Sequence, residues 1–354
     1  MRTMSTDQLL SLAAGIVERG ESPACQLAVA RDGEIECFET FGNATNESRF
    51  CAFSATKPIV ASAVWLLMGD GVLEIERPVA HYIPEFATNG KEVVTVEQVL
   101  LHTAGFPNAP MDPVDGADMV TRAKRFTEWE LEWEPGSRFE YHALSAHWVL
   151  AELIERLSGH DFRDFIEARV CEPLGLPRLL GIPEEEQDDI VDGVQLGPLA
   201  ATSPVDVDTI VFNEPAVRAA GVPGGGGHMT AATMARFYQA LLHNPNGLWN
   251  ADVLRDATSN VRCTYPDPLM NVAANRSVGL VIAGDDGLHQ FRYGMFGKEN
   301  SPGTFGHAGA HCQVAWADPA TGISFSFLKN GLQMDMFADA AGIIPLVDAA
   351  AALH

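Results

Sequence analysis

Apolar positions recur along this chain with two different periods. Residues 24–41, ACQLAVARDGEIECFETF, form two β-like runs on either side of Asp32-Gly33, a dipeptide that supplies the positive φ of a tight hairpin turn. A second β-rich block spans Ser277 to Leu328, with SVGLVIAG, HQFRYGMF, AHCQVAWA and, after the turn DPATG, ISFSFLK. Between the blocks the period becomes helical. Pro58 to Gly69 is one apolar stretch and Val96 to Leu101 a short helix. His147 to Ser158 sets Val149, Leu150, Leu153, Ile154 and Leu157 on one face, and 161–171 continues in the same manner. The first 25 residues contain an amphipathic helix, and Asp335 to Ala351 reads as a closing helix that packs on the sheet. The two β blocks can share one sheet only if the chain ends meet in space. The predicted fold is therefore α/β of the α+β type, a mostly antiparallel sheet flanked by terminal helices with a largely helical insertion. The expected division is a discontinuous sheet domain, 1–60 with 225–354, and a helical domain, 61–224, with an active site between them.

Composition narrows the functional classes. The 354 residues are 47% hydrophobic and carry 23 Lys+Arg against 47 Asp+Glu, a formal net charge of −24. Such a surface repels nucleic-acid backbones and anionic lipid, so neither is expected as a partner. Charged residues interrupt the N-terminal apolar patch, so it does not read as a secretory signal. No segment approaches the roughly 18–20 apolar residues of a membrane span. A cytoplasmic location follows as the expectation. Cys25, Cys37, Cys51, Cys171, Cys263 and Cys312 form no C-x-x-C pair, which suggests buried free thiols rather than a zinc site or disulfide framework. No coiled-coil seam or repeated interface pattern sets an oligomeric state.

The candidate chemistry begins at FSATKP, residues 53–58, where Ser54 precedes Lys57 by three positions at the start of an apolar helix. That spacing places both side chains on one helical face. A lysine of lowered pKa can take the proton from a serine hydroxyl, and a helix N-terminus stabilises negative charge that develops beside it. Pro58 fits if it lies within the first turn. Taken alone, the pair more often describes a solvent-facing Ser and Lys on an ordinary helix.

Seven segments change that reading. FSATKP, GVLEIERPVAHYIPEF (71–86), TVEQVLLHTAGFP (95–107), EPGSRFEYHALSAHWVLAELIERLSG (134–159), CEPLGL (171–176), GVPGGGGHMTAATMARF (221–237) and FGHAGAHCQVAWADPATGISFSF (305–327) occur in one order along the chain. In that order they resemble the class C serine β-lactamases and the penicillin-binding proteins, esterases and acyltransferases of the same β-lactamase/transpeptidase-like fold. The resemblance implies that Ser54 is the acylated nucleophile, Lys57 its partner, and Tyr141 a proton relay whose pKa a nearby cation depresses. It also implies an oxyanion hole from the N–H groups of Ser54 and Ala310, with Gly309 allowing close approach of the strand.

Two departures steer the expected substrate. Ala143 stands where the family pattern has an asparagine that contacts substrate, and His307-Ala308-Gly309 stands where the pattern has K-T-G. A permanent positive charge is thus replaced by a histidine about neutral at pH 7. Both changes weaken an antibiotic reading and resemble the esterase branch, the family VIII carboxylesterases. His307, Gly309 and Ala143 are the expected substrate-binding positions. His102-Thr103-Ala104-Gly105 reads as a structural turn beside the site, Gly224 to Gly227 as a mobile pocket rim, and His228 as a weaker candidate for substrate contact. His307 and His311 have no third ligand of suitable spacing, so no metal or cofactor is expected. The expected activity is hydrolysis of a small-molecule ester through an acyl-enzyme. Amidase, peptidase, β-lactamase or acyltransferase action on the same machinery, or an inert binding module, are the alternatives. Loops around 108–130, 177–225 and 285–302 are expected to set selectivity.

Overall fold

The computed structural model describes residues 5–197 and 209–353; residues 1–4, 354 and 198–208, part of the 177–225 loop, lie outside the described residues. Helix α1, Thr6–Glu18, opens on a capping box in which the Ser5 hydroxyl accepts from the Gln8 N–H and the Gln8 side chain accepts from the Ser5 N–H. Strands β1, Ala24–Arg31, and β2, Glu34–Gly42, pair antiparallel. Their turn has Asp32 at φ 51° and Gly33 at φ 82°, the conformation read from the dipeptide. The helical part contains α2, Lys57–Gly69, and α3, Ser145–Ser158, and is followed by α4, Ala231–His243. Then come β3, Val281–Ile282, β4, Phe305–Gly306, β5, Val314–Asp318, β6, Ile323–Lys329, and α5, Met336–Ala351.

The six strands form one antiparallel sheet in the order β2-β1-β6-β5-β4-β3. The chain ends do meet, because β1 pairs with β6 along its length, Ala28 opposite Ser326. Both faces are covered. Cys25, Leu27 and Val29 of β1 and Phe325 and Phe327 of β6 join Leu9 and Ile16 of α1 and Leu346 and Val347 of α5 in one apolar cluster. The opposite face is built from small residues, Ala24, Ala28 and Ala30 with Ser324 and Ser326, which lets α4 approach closely. There Ser324 Oγ donates to the Ala235 carbonyl (2.8 Å), and Gln239 Nε2 donates to the Ala30 carbonyl (2.9 Å). The Ser-Phe alternation of β6 therefore records a small-residue face under a helix, not a solvated one.

The cluster on the α4 face continues without a break into α2 and α3, so sheet and helical insertion share a core. Helix α2 is buried from Lys57 to Leu67, which explains why its sequence shows an apolar run and no amphipathic stripe. No helix of the described residues is long and apolar enough to cross a membrane.

The second β block is less regular than its composition suggests. HQFRYGMF, 289–296, holds no strand; only a short 3-10 turn, His289–Phe291, forms. Its Arg292 donates to the carbonyls of Ala273 (3.1 Å) and Ala283 (2.5 Å), so a side chain ties the segment down where a ladder was expected. Residues 277–280 turn back on themselves through the Ser277 N–H and Leu280 carbonyl (3.0 Å). Ala310–Cys312 is a turn with positive φ at His311 and Cys312, and the strand starts only at Val314. The 161–171 segment is an α-helix, Phe162–Ile166, that widens into a π-turn, Glu167–Cys171.

Candidate active site

Ser54 sits on a 3-10 turn, Phe53–Thr56, that runs directly into α2, with Pro58 within the first turn of the helix. The turn is held from behind by the Ala52 N–H donating to the Gly227 carbonyl (2.8 Å) and the Gly227 N–H donating to Thr56 Oγ1 (3.0 Å). Phe53 adopts φ 44°, a costly conformation for a bulky residue, and its ring packs edge-on against Phe212 and His311 at 5.6 Å. The strain lies immediately before Ser54, where it sets how the hydroxyl is presented.

Lys57 is fully buried, with Nζ 3.2 Å from Ser54 Oγ. The same nitrogen donates to the carbonyls of Ala143 (2.7 Å) and Gly224 (2.5 Å). Burial and, after it, the charge of Arg276 hold its pKa well below the ordinary lysine value. A neutral amine has two N–H donors and one lone pair. With both donors directed to main-chain carbonyls, the lone pair is left for the Ser54 hydroxyl.

Tyr141 is half-buried, but its hydroxyl is shut off from solvent and lacks a well-formed hydrogen bond. Ser54 is close enough to favour the ionised phenol slightly, short of full hydrogen-bond geometry. The ring stacks on Tyr293 at 4.8 Å and lies 5.1 Å from Lys57 Nζ and 5.3 Å from the Arg276 guanidinium. Burial, reinforced by Tyr293, raises its pKa and outweighs Arg276. The expected depressed tyrosine is therefore corrected: the lowered group is Lys57, and Tyr141 is a neutral phenol.

Arg276, which sequence reasoning passed over, is 2% exposed and lies among the rings of Phe139, Tyr141 and Tyr293 at 5.3–5.7 Å. Its Nη1 donates to His307 Nε2 (2.8 Å), while Nε and Nη2 have no hydrogen-bond partner. The His307 Nδ1–H donates to the Ala308 carbonyl (2.7 Å), which fixes the tautomer. Burial first, then Arg276 and Lys57, push the His307 pKa well down. Fully buried with both nitrogens engaged, His307 offers no free group to a substrate. Nothing in the local sequence AANRSVGL marks Arg276; only tertiary burial does.

Gly309 allows a close approach of the strand edge. An added Cβ would lie 2.3 Å from the Ala52 carbonyl, so the strand edge presses on the turn that carries Ser54. Among the described residues, the N–H groups of Ser54 and Ala310 donate no main-chain or side-chain hydrogen bond, and both residues line the same cavity. Ala143 contributes its carbonyl to Lys57 and lines that cavity too. The glycine segment 224–227 is buried and hydrogen-bonded, a support rather than a loose rim. His228 is buried with Nδ1 3.1 Å from the Gly226 carbonyl, away from the cavity. His102, at φ 58°, accepts the His142 N–H at Nδ1 (3.2 Å) and packs against the Tyr141 ring at 4.8 Å. His311 turns to the Thr209 hydroxyl (2.9 Å) and the Gln333 carbonyl (3.0 Å). The cavity itself has a volume of about 640 Å³.

A beta-lactamase family model matches residues 10–348. The esterase/beta-lactamase LipL of Mycobacterium tuberculosis is 28% identical over 324 residues, 82% of this chain and 72% of that protein. Penicillin-binding protein 4 of Amycolatopsis lactamdurans is 28% identical over 238 residues, 64% of this chain and 60% of that one. The crystal structure of a family VIII carboxylesterase matches with a TM-score of 0.82 at 24% identity, covering 99% of this chain and 98% of the other, a likeness of fold.

Proposed function

The chain belongs to the beta-lactamase family, and from that premise we propose that it is a serine hydrolase cleaving small-molecule carboxylic esters through an acyl-enzyme on Ser54. The observation that carries the reading is the Lys57 amine, 3.2 Å from Ser54 Oγ with its other contacts made to two main-chain carbonyls. Ser54 passes its proton to Lys57 as Oγ attacks the ester carbonyl. The Ser54 and Ala310 N–H groups receive the oxyanion. Tyr141, neutral beforehand, gives its proton to the departing alkoxide and is reprotonated from the Lys57 ammonium. Water then enters, loses a proton to the same pair and frees the acid from Ser54.

An ester is favoured over a lactam or a peptide carboxylate by the charges around the cavity. Arg276 is masked by aromatic rings and does not line it. The lining cations Arg292 and Lys298 are paired with Asp286 and Asp348. No unpaired cation therefore faces Ser54 from the cavity wall among the described residues. We read the sheet region, 1–60 with 225–354, and the helical region, 61–224, as two lobes with the site between them. Six unpaired cysteines fit a reducing compartment, and we place the protein in the cytoplasm on that ground.

Intact-protein mass spectrometry tests the reaction. Brief exposure to an activated ester, a fluorophosphonate and a penicillin should give ester turnover and phosphonylation, both lost in Ser54→Ala, with little penicillin adduct. A long-lived penicillin adduct on Ser54 would move the assignment to a penicillin-binding protein, and no adduct of any kind would end the enzyme reading.

A further inference from the structure

The cavity at Ser54 continues well past the reacting atoms. It runs along the Ala310–Cys312 turn to α5, and its volume of about 640 Å³ falls among pockets that bury whole drug-sized ligands, roughly 300–1,000 Å³. Four methionines, Met270, Met295, Met334 and Met336, line it. Thioether chains adapt to irregular apolar shapes at little cost, a property suited to flexible guests. Three large apolar residues on the same walls are open to solvent: Phe291 at 51%, Phe337 at 66% and Ile344 at 47%. Apolar surface concentrated at the opening of one cavity marks a binding surface more than scattered exposure does.

Charge on the walls is neutralised from within. Asp339 pairs with Lys329 (2.6 Å), Asp348 with Lys298 (2.8 Å) and Arg292 with Asp286. One carboxylate oxygen of Asp339 is the exception, buried and without a partner. A charged guest would have to compete with these pairs, whereas an uncharged one would leave them intact and cover the exposed rings.

Resting on the ester-hydrolase reading, we propose that the natural substrate carries one bulky, uncharged, apolar limb, seated in the cavity between Ser54 and α5. The ester group lies at the Ser54 end, and the limb extends towards Phe337 and Ile344. Short esters are turned over by the same machinery but leave most of the cavity empty.

Two chain-length series on the full-length protein test this, each below its micelle concentration. p-Nitrophenyl alkanoates from acetate to octanoate vary the acyl limb, and alkyl acetates from methyl to octyl, followed by proton release, vary the alcohol limb. Burial of each methylene predicts a gain of about three- to fourfold in kcat/KM, so at least one series should rise ~100-fold or more from end to end. Ala341→Trp, on the solvent-facing part of the cavity wall, should lower the octyl-to-methyl or octanoate-to-acetate ratio at least ~10-fold. Flat or falling kcat/KM in both series, with Ser54-dependent turnover present, would overturn this inference and leave the esterase assignment standing. Loss of Ser54-dependent turnover across all esters would sink both.

Discussion

Two of the buried arginines, Arg122 and Arg276, have completely different surroundings. Arg122, on the helix Met119–Glu128, is fully buried, pairs with Glu152 (2.7 Å) and Glu155 of α3, and donates to the Gly116 carbonyl (2.7 Å). Every nitrogen is used and two carboxylates meet the charge. Arg276, equally buried, has three aromatic rings and one neutral imidazole and, among the described residues, no ion-paired carboxylate. Ring faces recover part of its desolvation cost, about 2 kcal/mol for a buried cation–π contact, but they leave its field largely unneutralised. That field falls on Lys57. A neutralised buried cation ties helices together, whereas an unneutralised one changes the proton affinity of its neighbours.

Breaking each partnership should separate these roles. Arg122→Met removes the ion-pair partner of the Glu155 carboxylate and of one Glu152 oxygen in the core, leaving Glu152 only its Arg156 pair, and should cost about 3–5 kcal/mol in urea unfolding, with turnover per folded molecule preserved. A loss of activity at unchanged stability would mean that Arg122 belongs to the chemistry. Lys57→Ala should lower kcat/KM by at least ~100-fold, the low end for a lost general base, with a smaller effect on unfolding. A near-normal rate would require a different base. Arg276→Met removes a charge that has no ion-pair partner among the described residues, so the stability change should be small, about 1 kcal/mol for the lost His307 hydrogen bond.

The pH profile of that last variant is the finer test. Lys57 acts as a base only when deprotonated, so kcat/KM rises with pH through its pKa. Arg276 holds that pKa down, and removing it must raise it. The acid limb of the profile should therefore move to higher pH. An acid limb that stays in place, in a folded variant, would show that burial alone tunes Lys57.

Much of the scaffold was legible because it depends on local rules. Asp32-Gly33 forms its turn from backbone preference, Ser5 caps α1 through its neighbour Gln8, and the apolar spacing of 149–157 marks α3 as a helix, although its burial from Ser145 to Glu155 runs all round and not along one stripe. The second β block was legible only in part. HQFRYGMF has strand composition, yet Arg292 bonds to the carbonyls of Ala273 and Ala283 instead. Composition reports that a segment is apolar and β-branched or aromatic; it does not report which groups will satisfy its backbone.

The site divides in the same way. Sequence alone determined that Ser54 and Lys57 share one turn of chain, that glycine stands at 309, and that no lysine stands at 307, because these are matters of identity and spacing. Tertiary structure decided which groups are charged. Lys57 is held below its usual pKa by burial and by a guanidinium 219 positions away in the chain, Tyr141 is pushed in the opposite direction, and His307 is locked by Arg276. Proton affinity in a protein depends on desolvation and on the nearest charges in space, and neither is set by the residues next in sequence.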